Sequence, residues 1–542
     1  MRKGMLAAAL VLALAACGEK PGAEQAPAAA AADERFAFAS IAELQAGMEQ
    51  GQFTAADLVR YYTARIETLD HAGPTVRSVL ALNPNALADA EALDRERAEK
   101  GPRGPLHGVP ILLKDNIDSK DPLPTTAGSL ALLENFRTED APLAARLRAA
   151  GAVILGKTNL SEWANIRDGD SSSGWSAVGG LTRNPHALDR SACGSSSGSG
   201  AAVAAGFAPA AIGTETDGSI VCPASINGVV GVKPTVGLVS RTGVVPISAS
   251  QDTAGPMTRS VADAALVLAA LAGSDAKDPA TAEADARKAD YAAALAGASL
   301  QGKRLGVLRK LGPAAQPQLN ALFEATLKQL EAAGAVLVPI EEEAPLNRIG
   351  PAELTVLLTE LKAGMAAYLA GSPAKVPHRT LADLIAFNAA EPRELALFGQ
   401  SQFVDAEAMG GLDDPAYRKA LATSRGLARQ TLDGWLQREK LDALIAPTVG
   451  PSWVTDVVNG DAYVGGVSTL SAVSGYPHVS VPMGLAQGLP VGLSFMGGAW
   501  EEAKLLGLAA AAQAVLGPAP KPTFAPNLDA VPSVEAAIAP SR

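Results

Sequence analysis

Apolar residues recur at helical spacing near the start of the chain, which predicts an α-helix there. The positions three or four residues apart are Leu58, Tyr62, Ile66 and Leu69. Two segments, Ser40-x-x-Glu43 and Thr54-x-x-Asp57, are typical of helix starts, because the hydroxyl and the carboxylate satisfy N–H groups of the first turn. Residues 85–99 form another polar-faced helix, and residues 141–150 form one that ends at Gly151.

Short apolar runs alternate with these helical segments and predict β-strands. The runs are Ile111–Leu113 leading into Lys114, and residues 153–156, 210–213, 304–308, near 336–340, 479–483 and 491–495. Strands that alternate with helices indicate an α/β architecture. Residues 301–442 are otherwise mostly helical. Because no linker-like segment follows residue 36, we expect one domain over residues 36–542.

Composition narrows the class of protein. Of 542 residues, 48% are hydrophobic and 19% are charged, which suits a large core and excludes a disordered chain. The net charge of −11 argues against nucleic-acid binding, which needs clustered Lys and Arg. Three cysteines exclude a disulfide scaffold, and five histidines without metal-binding spacing give little support for a metal. We therefore expect neither a metal nor a cofactor.

The first residues have the pattern of an export signal. Arg2 and Lys3 precede an apolar run, Met5–Ala16, that is too short to span a bilayer. The tetrapeptide that ends at Cys17 resembles a lipobox, which predicts cleavage before Cys17 and a lipid on its thiol. The alternative is an ordinary signal peptide cut after Ala16.

These features predict a signal peptide over residues 1–16 and a flexible tether over residues 17–35, which are rich in Ala, Pro and Glu. The protein would be an exported lipoprotein at the periplasmic face of the envelope, in contact with the membrane only through its lipid. Gly18 after Cys17 favours the outer membrane.

Three segments have compositions that indicate chemistry. Lys114 ends an apolar strand, where burial would lower the pKa of its amine and make it a base; a lysine that reaches water is the alternative. Residues 193–200 (CGSSSGSG) place hydroxyl and N–H groups at a helix start, whereas a flexible linker would not lead into small apolar residues. Ser219 follows Gly218 on a tight turn, as a nucleophile beside an oxyanion hole would, although a plain turn serine is equally compatible.

Together these segments resemble the amidase signature family. The matching segments are LHGVPILLKDNID (106–118), TTAGS (125–129), GAVILGKTNLSEWA (151–164), CGSSSGSGAAVAAG (193–206), GTETDGSI (213–220), GVVGVKPTVGLVSRTGVVP (228–246), DALIAPT (442–448) and PVGLSFMG (490–497). The resemblance runs over nearly all of residues 40–516, and the GTETDGS form is most similar to bacterial peptide amidases. It implies an α/β amidase signature fold, with a large mixed β-sheet core covered by helices on both faces.

The resemblance also implies an activity and its residues. The family hydrolyses carboxylic or peptide amide bonds through a Ser–cis-Ser–Lys triad and an acyl-enzyme, and releases ammonia or an amine. Ser219 matches the nucleophile, Ser195 the bridging serine after a cis peptide bond, and Lys114 the base. The resemblance assigns oxyanion or substrate binding to the main chain of Thr216, Asp217, Gly218 and Ser219, with Ser196 in support.

Some positions depart from the family pattern. Many relatives have Gly at Asp217 and Arg at Val221, so Asp217 places a carboxylate beside the oxyanion hole and Glu215 lacks one partner. Cys193 and Cys222 could pair in an oxidising compartment, but two small buried thiols are the simpler interpretation. We expect the walls of the substrate pocket to come from residues 301–442, a region that the matching family motifs do not describe.

Other functions are compatible with parts of the sequence. Residues 194–198 match G-x-S-x-G with Ser196 as the nucleophile of a Ser-His-Asp hydrolase. Residues 274–277 match the S-x-x-K motif of penicillin-binding proteins and β-lactamases, but they lie in a charged turn and not on a helix. A catalytically impaired lipid-anchored binding protein of the same fold is a third possibility. A glutaminase subunit of an amidotransferase is a fourth, but such a subunit works in the cytoplasm and the export signal argues against it.

Overall fold

A computed structural model of the chain describes residues 34–313 and 316–540. The predicted signal peptide, the proposed lipidation site at Cys17 and all but the last two residues of the predicted tether lie outside the described residues. Among the described residues, no helix has the length and apolar character that crossing a membrane requires.

A mixed β-sheet of eleven strands forms the centre of the described structure. The thirteen strands in the described residues are β1 (Val79–Leu82), β2 (Pro110–Lys114), β3 (Val153–Thr158), β4 (Trp175–Ser176), β5 (Gly180–Leu181), β6 (Ala210–Glu215), β7 (Val230–Lys233), β8 (Thr253–Thr258), β9 (Arg304–Leu308), β10 (Val336–Ile340), β11 (Ala443–Pro447), β12 (His478–Ala486) and β13 (Leu489–Met496). The order in the large sheet is β1-β3-β2-β6-β8-β7-β12-β13-β11-β9-β10, and β4 pairs with β5 separately. Strand β2 runs parallel to both β3 and β6, whereas β6 and β8 are antiparallel.

Helices cover the sheet. The sixteen α-helices in the described residues are α1 (Ile41–Glu49), α2 (Ala55–Arg65), α3 (Ala86–Lys100), α4 (Pro142–Ala149), α5 (Ser197–Ala204), α6 (Val221–Asn227), α7 (Val261–Leu271), α8 (Ala284–Arg287), α9 (Pro317–Ala332), α10 (Leu346–Ala370), α11 (Leu381–Ala390), α12 (Ser401–Ala408), α13 (Pro415–Arg438), α14 (Ser468–Ser474), α15 (Glu502–Leu516) and α16 (Pro532–Ile538). Both predicted capping boxes are confirmed, at Ser40 before α1 and Thr54 before α2.

Alternation along the strands divides the core between the two faces of the sheet. Ile111 and Leu113 of β2 pack on one face, with α4, α7, α9 and α15. Leu112 points to the other face, which is covered by α2, α3 and α5. A strand that is buried on both faces contains a continuous run of apolar residues, as β2 does. The predicted fold class, a large mixed sheet between helices, is confirmed.

Helix α5 explains why the chain is rich in small residues around position 200. All of its residues are buried. A Cβ at Gly198 would lie 2.3 Å from the Ser78 main-chain oxygen and 2.5 Å from that of Asn159, so only glycine fits there. This segment is a packed helix start, and the linker alternative is wrong.

Candidate active site

Two neighbouring parallel strands bring the candidate base to one end of the sheet. Lys114 is the last residue of β2, and Thr214 lies near the end of β6, so their side chains meet. The Lys114 Nζ atom donates to Ser195 Oγ at 2.7 Å, to Thr214 Oγ1 at 2.8 Å and to the Thr214 main-chain oxygen at 3.3 Å. Asn116 Nδ2 also donates to Thr214 Oγ1.

Burial changes the protonation of this lysine. Lys114 is 0% exposed, and the loss of solvation lowers the pKa of its amine to about 7, although the charges of Asp252 and Glu215 oppose the shift. A neutral amine has two N–H donors and one lone pair. The protonated amine donates to Ser195 Oγ and to the two oxygens of Thr214. Once it loses one proton, the Thr214 oxygens can keep the two remaining N–H groups, and the lone pair then faces Ser195. Lys114 is therefore arranged to take a proton from the Ser195 hydroxyl.

Ser195 and Ser196 lie at the start of α5. The peptide bond between Gly194 and Ser195 is cis, as the resemblance predicts. The Ser195 carbonyl accepts the Ser161 N–H at 3.0 Å. Ser196 Oγ donates to the Thr214 carbonyl and accepts the Thr214 N–H, so it binds the strand beside Lys114.

Ser219 lies on a tight loop between β6 and α6. Gly218 has a φ of +80°, a left-handed conformation that favours glycine. Glu215 Oε2 accepts the N–H groups of Ile220 and Val221 at 2.8 and 3.0 Å, so one carboxylate closes the loop from both ends. Burial raises the pKa of Glu215, whose other oxygen has no partner among the described residues.

Four consecutive main-chain donors on this loop are unused. None of the N–H groups from Thr216 to Ser219 donates a hydrogen bond to another described residue. Converging free N–H groups next to a serine hydroxyl can stabilise negative charge on a substrate oxygen. These are the residues whose main chain the resemblance assigns to an oxyanion hole.

The structure brings the three candidate catalytic residues together, but one of the hydrogen bonds that would connect them is not formed among the described residues. The Ser196 N–H donates to the Ser219 carbonyl at 3.1 Å, which holds the two serine loops together. Within the described residues, however, no hydrogen bond joins the hydroxyls of Ser195 and Ser219. Catalytic hydrogen bonds are often long without a substrate.

A cavity of about 420 Å³ opens at Ser219. It is lined by Asn165, Gly169, Asp170, Ser171, Ser173, Cys193, Gly194, Asp217, Gly218, Ser219, Cys222, Trp453, Asn459, Gly460, Asp461, Tyr463, Ser468 and Thr469. The expectation that residues 301–442 form the pocket walls is wrong, because the walls come from residues 165–173 and 453–469. Apolar residues of α10 to α12 instead pack in a cluster with Trp163.

The wall formed by residues 453–469 was not found from the sequence. Trp453 Nε1 donates to Asp461 Oδ1 at 3.0 Å, and its ring lies edge-on to Tyr463 at 5.7 Å between centroids. Asp461 Oδ2 accepts the Ser173 N–H, which joins the two walls. The only available signal was a pair of aromatic residues in a segment that otherwise mixes valine, glycine and polar residues.

Cys193 and Cys222 form a disulfide beside the cavity. The simpler interpretation, two buried thiols, is therefore wrong. The fold places the two Cα atoms 6.1 Å apart, within the range of disulfides, although 29 residues separate them in sequence.

Two acidic residues not singled out from the sequence contact the loop of Ser219. Thr216 Oγ1 donates to Asp252 Oδ1 at 2.6 Å, and burial raises the pKa of Asp252 to about 6. Asp217 Oδ2 accepts from Thr469 Oγ1 at 2.8 Å. Glu353 of α10 is the second acidic residue and lies within hydrogen-bonding reach of Asp217.

The structure gives no support to the two motif alternatives. No histidine in the described part of the chain hydrogen-bonds Ser196 or Ser219, and the ring nitrogens with partners bind elsewhere. Lys277 is exposed, and its ammonium pairs with Glu139 on the surface.

Comparisons with known proteins agree on one family. A family model described as Amidase matches residues 57–506. The native peptide amidase of Stenotrophomonas maltophilia is 52% identical, with a TM-score of 0.85 over 91% of this chain and 100% of that chain. The structure of a peptide amidase with the competitive inhibitor chymostatin is also 52% identical, with a TM-score of 0.84 over 89% and 99% of the two chains. A probable amidase of Arabidopsis thaliana is 39% identical over 482 residues, 87% of this chain and 88% of that protein.

Proposed function

This chain belongs to the amidase family and is a hydrolase of amide bonds, and from that premise we propose that it cleaves peptide amides through Ser219, Ser195 and Lys114. The observation that carries the proposal is the contact of 2.7 Å between Lys114 Nζ and Ser195 Oγ. That contact lies beside four unused N–H donors that end at Ser219.

Acylation begins when the Ser219 oxygen attacks the carbonyl carbon of the amide. The Ser219 proton passes to Ser195, and the Ser195 proton passes to the lone pair of Lys114. The carbonyl oxygen becomes an oxyanion that accepts hydrogen bonds from the free N–H groups of Thr216–Ser219. When the C–N bond breaks, the proton returns through Ser195 to the nitrogen, and ammonia or an amine leaves.

Deacylation repeats the same steps with water. A water molecule attacks the ester on Ser219 and gives its proton to Ser195, which gives its own to Lys114. The C–O bond to Ser219 then breaks, and the proton returns to the Ser219 oxygen. The products are a carboxylic acid and the free enzyme, so atoms and protons balance.

Two features support peptide amides as the substrate class. A structural neighbour is a peptide amidase that binds the inhibitor chymostatin. The cavity of about 420 Å³ is lined by polar groups, including Asp170, Asp217 and Asp461, and by Trp453 and Tyr463, with no lysine or arginine among its described lining residues. Such a lining has no cation to bind a free carboxylate, so it suits a peptide whose end is an uncharged amide.

Ammonia release tests this proposal directly. The purified full chain is assayed with peptide amides, aryl amides and short aliphatic amides, and peptide amides should have the highest kcat/KM. Labelling with a fluorophosphonate separates the alternatives, since a binding protein without activity would neither release ammonia nor react. A glutaminase subunit would release ammonia from glutamine in preference to peptide amides.

We also propose that the protein is an exported lipoprotein anchored by Cys17. Its support is the LAAC tetrapeptide after a basic and apolar segment. A disulfide between Cys193 and Cys222 is compatible with this location, because such bonds persist in oxidising compartments such as the periplasm.

A further inference from the structure

One of the two carboxylate oxygens of Asp217 receives no hydrogen bond from an N–H or hydroxyl group of the described residues. Its Oδ2 atom accepts from Thr469 Oγ1, whereas Oδ1 is buried and has no donor among the described residues. A buried carboxylate oxygen without a donor is unfavourable, because it has lost its hydrogen bonds to water without gaining others. The neighbouring group within reach is the carboxyl of Glu353.

Two touching carboxyl groups in a buried site do not both ionise, because their charges repel in surroundings of low polarity. One proton held between them removes the repulsion and supplies the missing donor. The hydrogen bond from Thr469 favours the charged form of Asp217. Among the described residues, Glu353 receives only the Gln251 amide as a donor, and both burial and the charge of Asp217 raise its pKa well above the ordinary carboxyl value.

Glu353 also reaches the oxyanion loop by a second route. Gln251 Nε2 donates to Glu353 Oε1 at 2.8 Å and to the Thr216 main-chain oxygen at 3.3 Å. Glu353 therefore connects helix α10 to two consecutive residues of the Thr216–Ser219 loop. It reaches Thr216 through Gln251, and it reaches the Asp217 side chain directly. Their N–H groups are the first two of the four unused donors.

We propose that Glu353 is a positioning residue, which holds a proton and donates it in a hydrogen bond to Asp217 Oδ1, and thereby fixes the N–H groups of the Thr216–Ser219 loop. Loss of that proton would leave two adjacent carboxylates, push Asp217 from Glu353 and disorder the oxyanion hole. This inference rests on the proposed function of the loop in amide hydrolysis.

Other titratable groups face the pair and must be separated from it. Glu215 and the buried Lys233 act on the charge of Asp217, and burial lowers the pKa of Lys233 to about 8. The charge of Asp217 acts on the Tyr463 hydroxyl, and burial raises the pKa of that hydroxyl. Around Glu353, the neighbours that influence its titration are Asp217 and the neutral Gln251.

Glutamine at position 353 mimics the protonated acid, since its NH₂ group can donate to Asp217 while its oxygen accepts from Gln251. The wild-type kcat should fall about tenfold per pH unit once Glu353 loses its proton, and Glu353→Gln should remove that alkaline fall. Glu360→Gln is the matched control, because Glu360 lies in the same helix but binds Ser248, Ser250 and Tyr417. The control should keep the fall.

An alkaline fall that persists in Glu353→Gln would assign the titration to another group, such as Lys233 or Tyr463, and overturn the proposal. So would circular dichroism showing that the wild type simply unfolds over the same pH range. An infrared difference spectrum between wild type and Glu353→Gln at neutral pH gives a readout without turnover. A protonated-carboxyl band supports the pair even if amide hydrolysis fails, and its absence refutes the pair even if hydrolysis is observed.

Discussion

The disulfide between Cys193 and Cys222 joins the loop before Ser195 to the helix after Ser219. Both sulfur-bearing residues line the cavity. The bond therefore links the two segments whose relative position decides whether the serine hydroxyls can exchange a proton.

Removing this link should lower both stability and activity. We expect the Cys193→Ser, Cys222→Ser double variant to lose about 3 kcal/mol of unfolding free energy, because the unfolded chain regains the freedom of the closed loop. Its kcat should fall more than its KM changes, since alignment and not binding is affected. Urea unfolding and steady-state kinetics measure both. A variant with wild-type kcat would show that the serine loops align without the bond.

The pH dependence of acylation should follow Lys114. Below its pKa of about 7 the amine is protonated and cannot accept the Ser195 proton. The rate should therefore rise with pH through about 7 and level off, until the separate alkaline fall proposed for the loss of the Glu353 proton begins. Lys114→Ala should reduce acylation by about 10²–10⁴-fold, the usual contribution of a general base, and should lose this titration.

His107 is the control for that profile. Its ring binds the Leu93 carbonyl and the Arg103 N–H, so it packs a loop. His107→Gln should keep the rise in rate near the same pH. Loss of the rise in this variant, or in any other histidine variant, would make histidine the base and refute the assignment of Lys114.

Glu215 accepts the two hydrogen bonds that close the loop of Ser219, so we expect its replacement to lower both stability and activity. Glu215→Ala leaves the buried N–H groups of Ile220 and Val221 unpaired, at about 1–3 kcal/mol each in unfolding free energy. Glu215→Gln keeps an acceptor and should retain more stability and more kcat. Thermal unfolding and kinetics of both variants test this, and equal losses would contradict the role as acceptor.

The proposed lipid anchor at Cys17 can be tested independently of catalysis. Cys17→Ser should abolish incorporation of labelled palmitate and leave an unprocessed or soluble protein. The wild type should fractionate with membranes after cell lysis. A wild type found as soluble periplasmic protein would contradict the lipoprotein proposal while leaving the amidase function untouched.

The sequence was informative where the local pattern decides the structure. Apolar runs located β2 and β6, and the Gly/Ser composition located the start of α5 beside Ser195. Strand ends that meet at one edge of a sheet then bring Lys114 and Thr214 together. The α/β class could be predicted on these grounds, and the family and its large mixed sheet from the motifs that resemble the family, whereas the catalytic roles stay predictions.

The remaining parts of the site depend on contacts between distant segments. Glu353 on α10 and the segment around Trp453 reach Asp217 and the cavity only through tertiary packing. Nothing in the local pattern around Glu353 distinguishes it from a surface residue, and the aromatic pair Trp453 and Tyr463 does not by itself indicate a pocket wall. The pairing of Cys193 with Cys222 likewise depends on a distance that only the fold supplies. For the same reason, the expected pocket walls in residues 301–442 were misplaced.

Identification of the attacking atom tests the central claim, that Ser219 is the nucleophile of an amidase. The full chain is treated with a fluorophosphonate, digested and examined by mass spectrometry, with Ser219→Ala as the matched control. We predict a single adduct on Ser219, no labelling of the variant, and no ammonia release from peptide amides by the variant. An adduct on Ser196, or undiminished ammonia release by Ser219→Ala, would contradict the claim.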